Sequence, residues 1–128
     1  MCGRFTLRTP TPVLAQTFRF ELTKQLRPRF NIAPTQSVLV VRSSEDATTE
    51  REAAEMNWGL VPSWSKDSSG AARLINCRSE TASSKPSFRS AFKRRRCLIL
   101  TDGYYEWERM GKQRLPWYIQ KFDQQPFA

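Results

Sequence analysis

The residue with the most distinctive chemistry stands second in the chain. If Met1 is removed, Cys2 becomes the amino terminus and carries an α-amine and a thiol on adjacent carbons. Reference pKa values are about 7.7–8.0 for the amine and about 8.5 for the thiol, so both are partly nucleophilic near neutrality without help from a histidine. A 1,2-aminothiol of this kind condenses with an aldehyde to an imine, and the thiol then closes on the imine carbon to give a thiazolidine. An amino-terminal nucleophile can also perform acyl chemistry with its own amine as base. The alternative reading is a small buried hydrophobe at the head of a strand. Gly3 permits close backbone approach, and Arg4 sets a cation two residues away.

Two further side chains suit the same chemistry. Glu106 lies in Gly-Tyr-Tyr-Glu-Trp-Glu, where surrounding aromatics favour a neutral carboxyl and hence proton transfer. The alternative is an exposed strand face with Glu106 and Glu108 opposite Lys112 and Arg114. Asn76, in Leu-Ile-Asn-Cys-Arg-Ser-Glu, offers an amide donor to a sugar or carbonyl oxygen, or else caps the helix that follows. Pro34 and Trp64 fall in loops. An exposed loop Trp stacks on bases, whereas a buried one packs the core.

These residues need elements to hold them. Cys2 to Leu7 reads as a strand. Thr11-Pro12 starts a helix, with Thr11 as cap and Leu14, Phe18 and Leu22 as its apolar stripe. Asn31 to Thr35 reads as a loop, Val38 to Val41 as a buried strand, and Ser43 to Glu52 as a polar connection. Ala54, Met56 and Trp58 alternate as a strand does. Ser63 to Gly70 is an exposed loop, after which Ala72 to Asn76 re-enters the core. Phe88 and Phe92 share a helical face, and Cys97 to Leu100 is a strand. Tyr104–Arg109 and Leu115–Phe122 form a hairpin through Met110-Gly111-Lys112. Short strands with few helices indicate a β-rich α+β domain without repeats or an internal boundary.

Composition narrows the functional classes. The chain has 128 residues, 39% hydrophobic and 12% aromatic, which is too apolar for a disordered tail. It has no histidine, so Ser-His-Asp, Cys-His and histidine-ligated zinc sites are excluded within it. Three scattered cysteines, Cys2, Cys77 and Cys97, make neither a disulfide framework nor a four-cysteine zinc site, and they suit a reducing cytoplasm. No apolar run reaches the about 20 residues of a membrane span, and no signal core is present. The formal net charge of +9 points to a polyanion, nucleic acid first, with a solvated basic surface as the alternative. Arg89, Lys93, Arg94, Arg95 and Arg96 form a basic cluster. Acidic residues gather elsewhere, at Glu45, Asp46, Glu50, Glu52 and Glu55.

Five motifs together resemble the SRAP family, the SOS response-associated peptidases or abasic site processing proteins. They are Met-Cys-Gly-Arg-Phe at 1–5, Arg-Phe-Asn-Ile-Ala-Pro-Thr-Gln at 29–36, Trp-Gly-Leu-Val-Pro-Ser-Trp at 58–64, Ile-Asn-Cys-Arg-Ser-Glu-Thr at 75–81 and Asp-Gly-Tyr-Tyr-Glu-Trp at 102–107. The resemblance implies an SRAP-like α+β domain of short, mostly antiparallel strands with a basic cleft. It implies that Cys2 captures the ring-opened sugar of an abasic site in single-stranded DNA as a thiazolidine. Asn76 and Glu106 would be the other catalytic residues, and Arg4, Asn31, Pro34, Trp64 and Arg78 would bind DNA. Weak lyase activity and self-removal of Met1 are implied, with no metal or organic cofactor. A cytoplasmic, nucleoid-associated monomer is expected. The resemblance also implies a longer domain, whose distal half carries a His that opens the sugar ring and reverses the crosslink. Residues 1–128 therefore read as the N-terminal portion of one SRAP domain. A non-covalent single-strand binder and an N-terminal-nucleophile peptidase are the rival functions.

Overall fold

Four consecutive aliphatic residues, Val38 to Val41, can all be buried only in a strand covered on both faces, and the fold places them there. In the computed structural model, which describes residues 2–21, 25–44 and 50–128, they lie in a seven-residue strand at the centre of a three-stranded sheet.

The elements run in the order β1 (Phe5–Leu7), α1 (Thr11–Phe18), β2 (Arg29–Ile32), β3 (Ser37–Ser43), β4 (Arg51–Asn57), a 3-10 turn (Ala71–Arg73), α2 (Ser79–Ala82), α3 (Pro86–Arg94), β5 (Leu98–Ile99), β6 (Gly103–Met110) and β7 (Gln113–Gln120). One sheet has the order β2-β1-β6-β7 and the other β4-β3-β5, with antiparallel pairing throughout. The β-rich α+β class expected from the sequence is the class observed.

One apolar core joins the two sheets. Phe5 and Ile32 from the first join Val38, Val40 and Val41 from the second, with Leu14 of α1 and Leu100, just after β5, in the same cluster. Phe5 and Trp58 pack edge to face at 5.1 Å between ring centroids, which fixes the start of the chain against the segment after β4.

Local chemistry explains the boundaries. Helix α1 ends at Arg19, which adopts a left-handed conformation at φ 56°. The hairpin β6–β7 turns through Gly111-Lys112, with Gly111 at φ 61° supplying the backbone that a two-residue turn requires. At Gly103 a Cβ would lie 2.6 Å from the Tyr118 ring, so this position must stay bare for β7 to close over β6.

Several expectations need correction. Thr11 is not the cap of α1: the cap position is Pro10, and the buried Thr11 hydroxyl accepts instead from the Leu26 amide at 2.9 Å. Asn31 and Ile32 are not loop residues; pairing with β1 draws them into β2. The strand at the start covers only Phe5–Leu7, and the expected strand at Cys97–Leu100 only Leu98–Ile99. Of the segment Ala72–Asn76 expected to re-enter the core, Ile75 packs against it and Leu74 is half-buried, while Ala72, Arg73 and Asn76 are exposed, the chain entering through a 3-10 turn. Met110 belongs to β6 rather than to the turn. Leu22, Glu45 and Asp46 lie outside the described residues.

Candidate functional site

Residues 2–4 form an irregular lead-in to β1, and the next elements position them. The Tyr105 amide donates to the Arg4 carbonyl at 2.9 Å, tying the lead-in to β6. The Tyr105 hydroxyl donates to the Phe30 carbonyl at 3.4 Å, tying β6 to β2. Cys2 therefore rests at the end of a strand held from both sides.

Its immediate partner comes from far along the chain. The Asn76 side-chain amide donates to the Cys2 main-chain carbonyl at 2.8 Å. Trp58 holds the segment carrying Asn76, its indole N–H donating to the Ile75 carbonyl at 3.1 Å. The cap position of α2 is Arg78, so Asn76 does not cap that helix and its amide is committed to Cys2. A Cβ placed on Gly3 would meet nothing within 4 Å, so no close approach within the chain requires a glycine there.

Cys2 is half-buried, packed against the core, and its thiol donates to the Arg4 carbonyl at 3.7 Å. Burial pushes the thiol above its usual pKa; a backbone hydrogen bond at Arg4 opposes this, and the Glu106 carboxylate adds to the rise. Glu106 is half-buried on β6, and its directly opposed residue on β7 is Trp117, while Glu108 opposes Leu115. The alternative of two glutamates facing Lys112 and Arg114 is therefore incorrect. The Trp117 indole N–H instead donates to Glu108 at 2.9 Å.

The cation expected beside Cys2 is anchored. Arg4 donates through Nη1 to the Asn31 side-chain oxygen at 3.0 Å, which aims the guanidinium along β2. Next to it Phe30 is 61% exposed. Sequence reasoning passed over Phe30, although its place in Arg-Phe-Asn-Ile put it directly beside Asn31 on a strand.

The other expected site residues lie in the segments that follow β2 and β4. Pro34 is half-buried in a turn closed by Gln36 N–H to Ala33 O at 3.3 Å; Thr35 follows at φ 69°, its amide fixed to the Trp58 carbonyl at 2.8 Å. Trp64 is 63% exposed in the loop after β4. Arg78 is exposed, two residues beyond Asn76. Among the described residues no group of three or more His, Cys, Asp or Glu side chains could hold a metal ion, and no helix is long and apolar enough to cross a membrane.

A family model described as SOS response associated peptidase (SRAP) matches residues 1–128. Abasic site processing protein YoqW of Bacillus subtilis is 36% identical over 132 residues, covering all of this chain and 58% of that protein. Abasic site processing protein HMCES of Gallus gallus is 40% identical over 102 residues, covering 73% of this chain and 30% of that protein. The chain thus spans little more than half the length of the first of these relatives. A crystal structure of a protein from Bacteroides thetaiotaomicron superposes with a TM-score of 0.81 at 25% identity, covering 95% of this chain and 55% of that one.

Proposed function

The chain belongs to the SOS response associated peptidase (SRAP) family, and on that premise we propose that it captures abasic sites in single-stranded DNA by covalent attachment to Cys2. The names of its relatives, abasic site processing proteins, support DNA as the substrate, as does the net charge of +9. The observation that carries the reading is the hydrogen bond from the Asn76 side chain to the Cys2 carbonyl, with the Glu106 charge acting on the Cys2 thiol and Asn31 holding the Arg4 side chain two residues away.

The reaction needs no cofactor. With Met1 removed, the Cys2 amine adds to the C1 aldehyde of the ring-opened sugar, and loss of one water gives an imine. The thiol sulfur then adds to the carbon of the imine, which is still protonated and keeps its amine N–H, closing a thiazolidine. Glu106 relays protons: it protonates the departing hydroxyl and takes up the thiol proton. Asn76 holds the Cys2 carbonyl, so that amine and thiol face one direction, and its carboxamide lies beside the sugar oxygens. Arg4 and Arg78 hold flanking phosphates. Asn31 and Pro34 contact the strand, with the exposed Trp64 and Phe30 as stacking faces for unpaired bases. Until the ring closes, the imine permits β-elimination, so weak strand cleavage accompanies capture. Peptidase activity is confined to removal of Met1.

The test is a denaturing gel of the chain incubated with a uracil-containing single strand pretreated with uracil glycosylase. A shifted band that is lost in Cys2→Ala is the expected result. A shift on a native gel alone would replace this reading with non-covalent binding, and cleavage of peptides without an aldehyde would replace it with a peptidase.

A further inference from the structure

From residue 81 to residue 101 the chain contains no acidic residue but six cations: Lys85, Arg89, Lys93, Arg94, Arg95 and Arg96. Helix α3 carries much of this charge and buries none of its residues. An open groove of 730 Å³ runs along it, lined by Arg89, Phe92, Lys93 and Arg96 among others. Among the described residues none of these cations is ion-paired. Lys93 and Arg94 sit in the last turn, where a helix favours positive charge, but Arg89 lies in its middle and is not explained that way. Nor is Phe92, a large apolar ring left 47% exposed between cations.

Arg89 and Lys93 are four residues apart and so share one face, about 6 Å apart along the axis. Phe92 adjoins that stripe. Phe88, one turn earlier, already carries a cation over its ring, with Lys85 Nζ 5.6 Å from the centroid. Cations alternating with an exposed aromatic ring are what a single strand needs, since phosphates pair with the cations and an unstacked base lies on the ring. We infer that the α3 groove is a second single-strand subsite, separate from the Cys2 cluster, where Arg89 and Lys93 hold consecutive phosphates and Phe92 stacks one base. The inference rests on the reading that the chain acts on single-stranded DNA, but not on any covalent step. It gives undamaged DNA flanking the lesion a place to bind.

The test uses the full chain and undamaged oligothymidylate of two lengths, about 16 and about 4 nucleotides, titrated by fluorescence anisotropy over a range of salt. For the longer strand, the Arg89→Ala, Lys93→Ala double variant is expected to flatten the log–log salt slope by about 1.4. Phe92→Ala is expected to weaken binding about tenfold with the slope unchanged, and Phe92→Trp to retain it. These side chains are exposed, and circular dichroism checks that the variants stay folded. Capture of an abasic strand of about 4 nucleotides, too short to span both sites, should be unchanged. Because undamaged DNA needs no thiol, the α3 effect persists in Cys2→Ala, so failure of the covalent reading would not hide it. Unchanged affinity and slope in all variants would overturn the inference. So would loss of binding to phosphatidylglycerol vesicles with DNA affinity intact, which would assign α3 to a lipid surface.

Discussion

Asn76 donates its side-chain amide to the main-chain carbonyl of Cys2 at 2.8 Å, across 74 residues of sequence. The bond is made to backbone, so it fixes where the residue points rather than what its side chain does. A nucleophile that uses both its own amine and its own thiol needs that constraint, because the two groups must meet the same carbon in succession.

Loss of that constraint should show in rate before it shows in stability. Asn76 is exposed, so Asn76→Ala is expected to cost about 1 kcal/mol of folding free energy at most. Capture of abasic DNA should slow by about tenfold or more. Urea unfolding read beside single-turnover gels separates the two effects. A loss of capture that only tracks a loss of folded protein would remove the positioning role.

Glu106 makes two opposite predictions. Its negative charge disfavours the Cys2 thiolate, so Glu106→Gln should lower the thiol pKa and shift iodoacetamide labelling of Cys2 to lower pH. As a proton relay its loss should slow capture over the same pH range. Peptide-resolved mass spectrometry across a pH series measures the first, gels the second. Faster labelling together with slower capture is the expected combination; faster capture would show that Glu106 only repels the thiolate.

The Arg4–Asn31 pair divides charge from aim. Arg4→Ala removes a phosphate partner and should flatten the salt dependence of binding to undamaged single strands by about 0.7 in log–log slope. Asn31→Ala keeps the cation and should leave the slope unchanged. Anisotropy titrations over a salt series decide this. Equal slopes for Arg4→Ala and the parent chain would take Arg4 out of the DNA contact.

Away from the site, the largest loss of stability is expected at Asp102. Its carboxylate is buried and accepts from the Arg8 and Thr9 amides and from the Thr9 hydroxyl, which pins the chain after β1 to the start of β6. Asp102→Ala should leave these donors without a partner and cost about 3 kcal/mol, measured by urea titration. A cost under about 0.5 kcal/mol, as for an ordinary surface change, would show the network to be dispensable.

What the sequence displayed and what it hid follow the range of the interactions involved. The β6–β7 hairpin was legible because Gly111 and the flanking aromatics act locally. The strand at Val38–Val41 was legible because an aliphatic run of that length needs burial on both sides. Thr11 carries a strong local signal for a cap, yet its hydroxyl is taken by Leu26, fifteen residues on. Asn31 sits among turn-forming residues, but β1 offers it a strand partner that only the folded chain supplies. The site shows the same division. Cys2 was conspicuous by position and Glu106 by its aromatic neighbours. No local pattern could announce the bond from Asn76 to Cys2 or the hydroxyl of Tyr105 reaching the Phe30 carbonyl, since each spans more than 70 residues.

The most direct test of the covalent reading is intact mass spectrometry of the Met1-free chain after incubation with an abasic single strand, followed by digestion to locate the adduct. The account predicts a product weighing the sum of protein and DNA less one water, formed without any reductant, with the attachment on the peptide that begins at Cys2. An adduct that survives only after borohydride reduction, or one carried on a lysine, would contradict it.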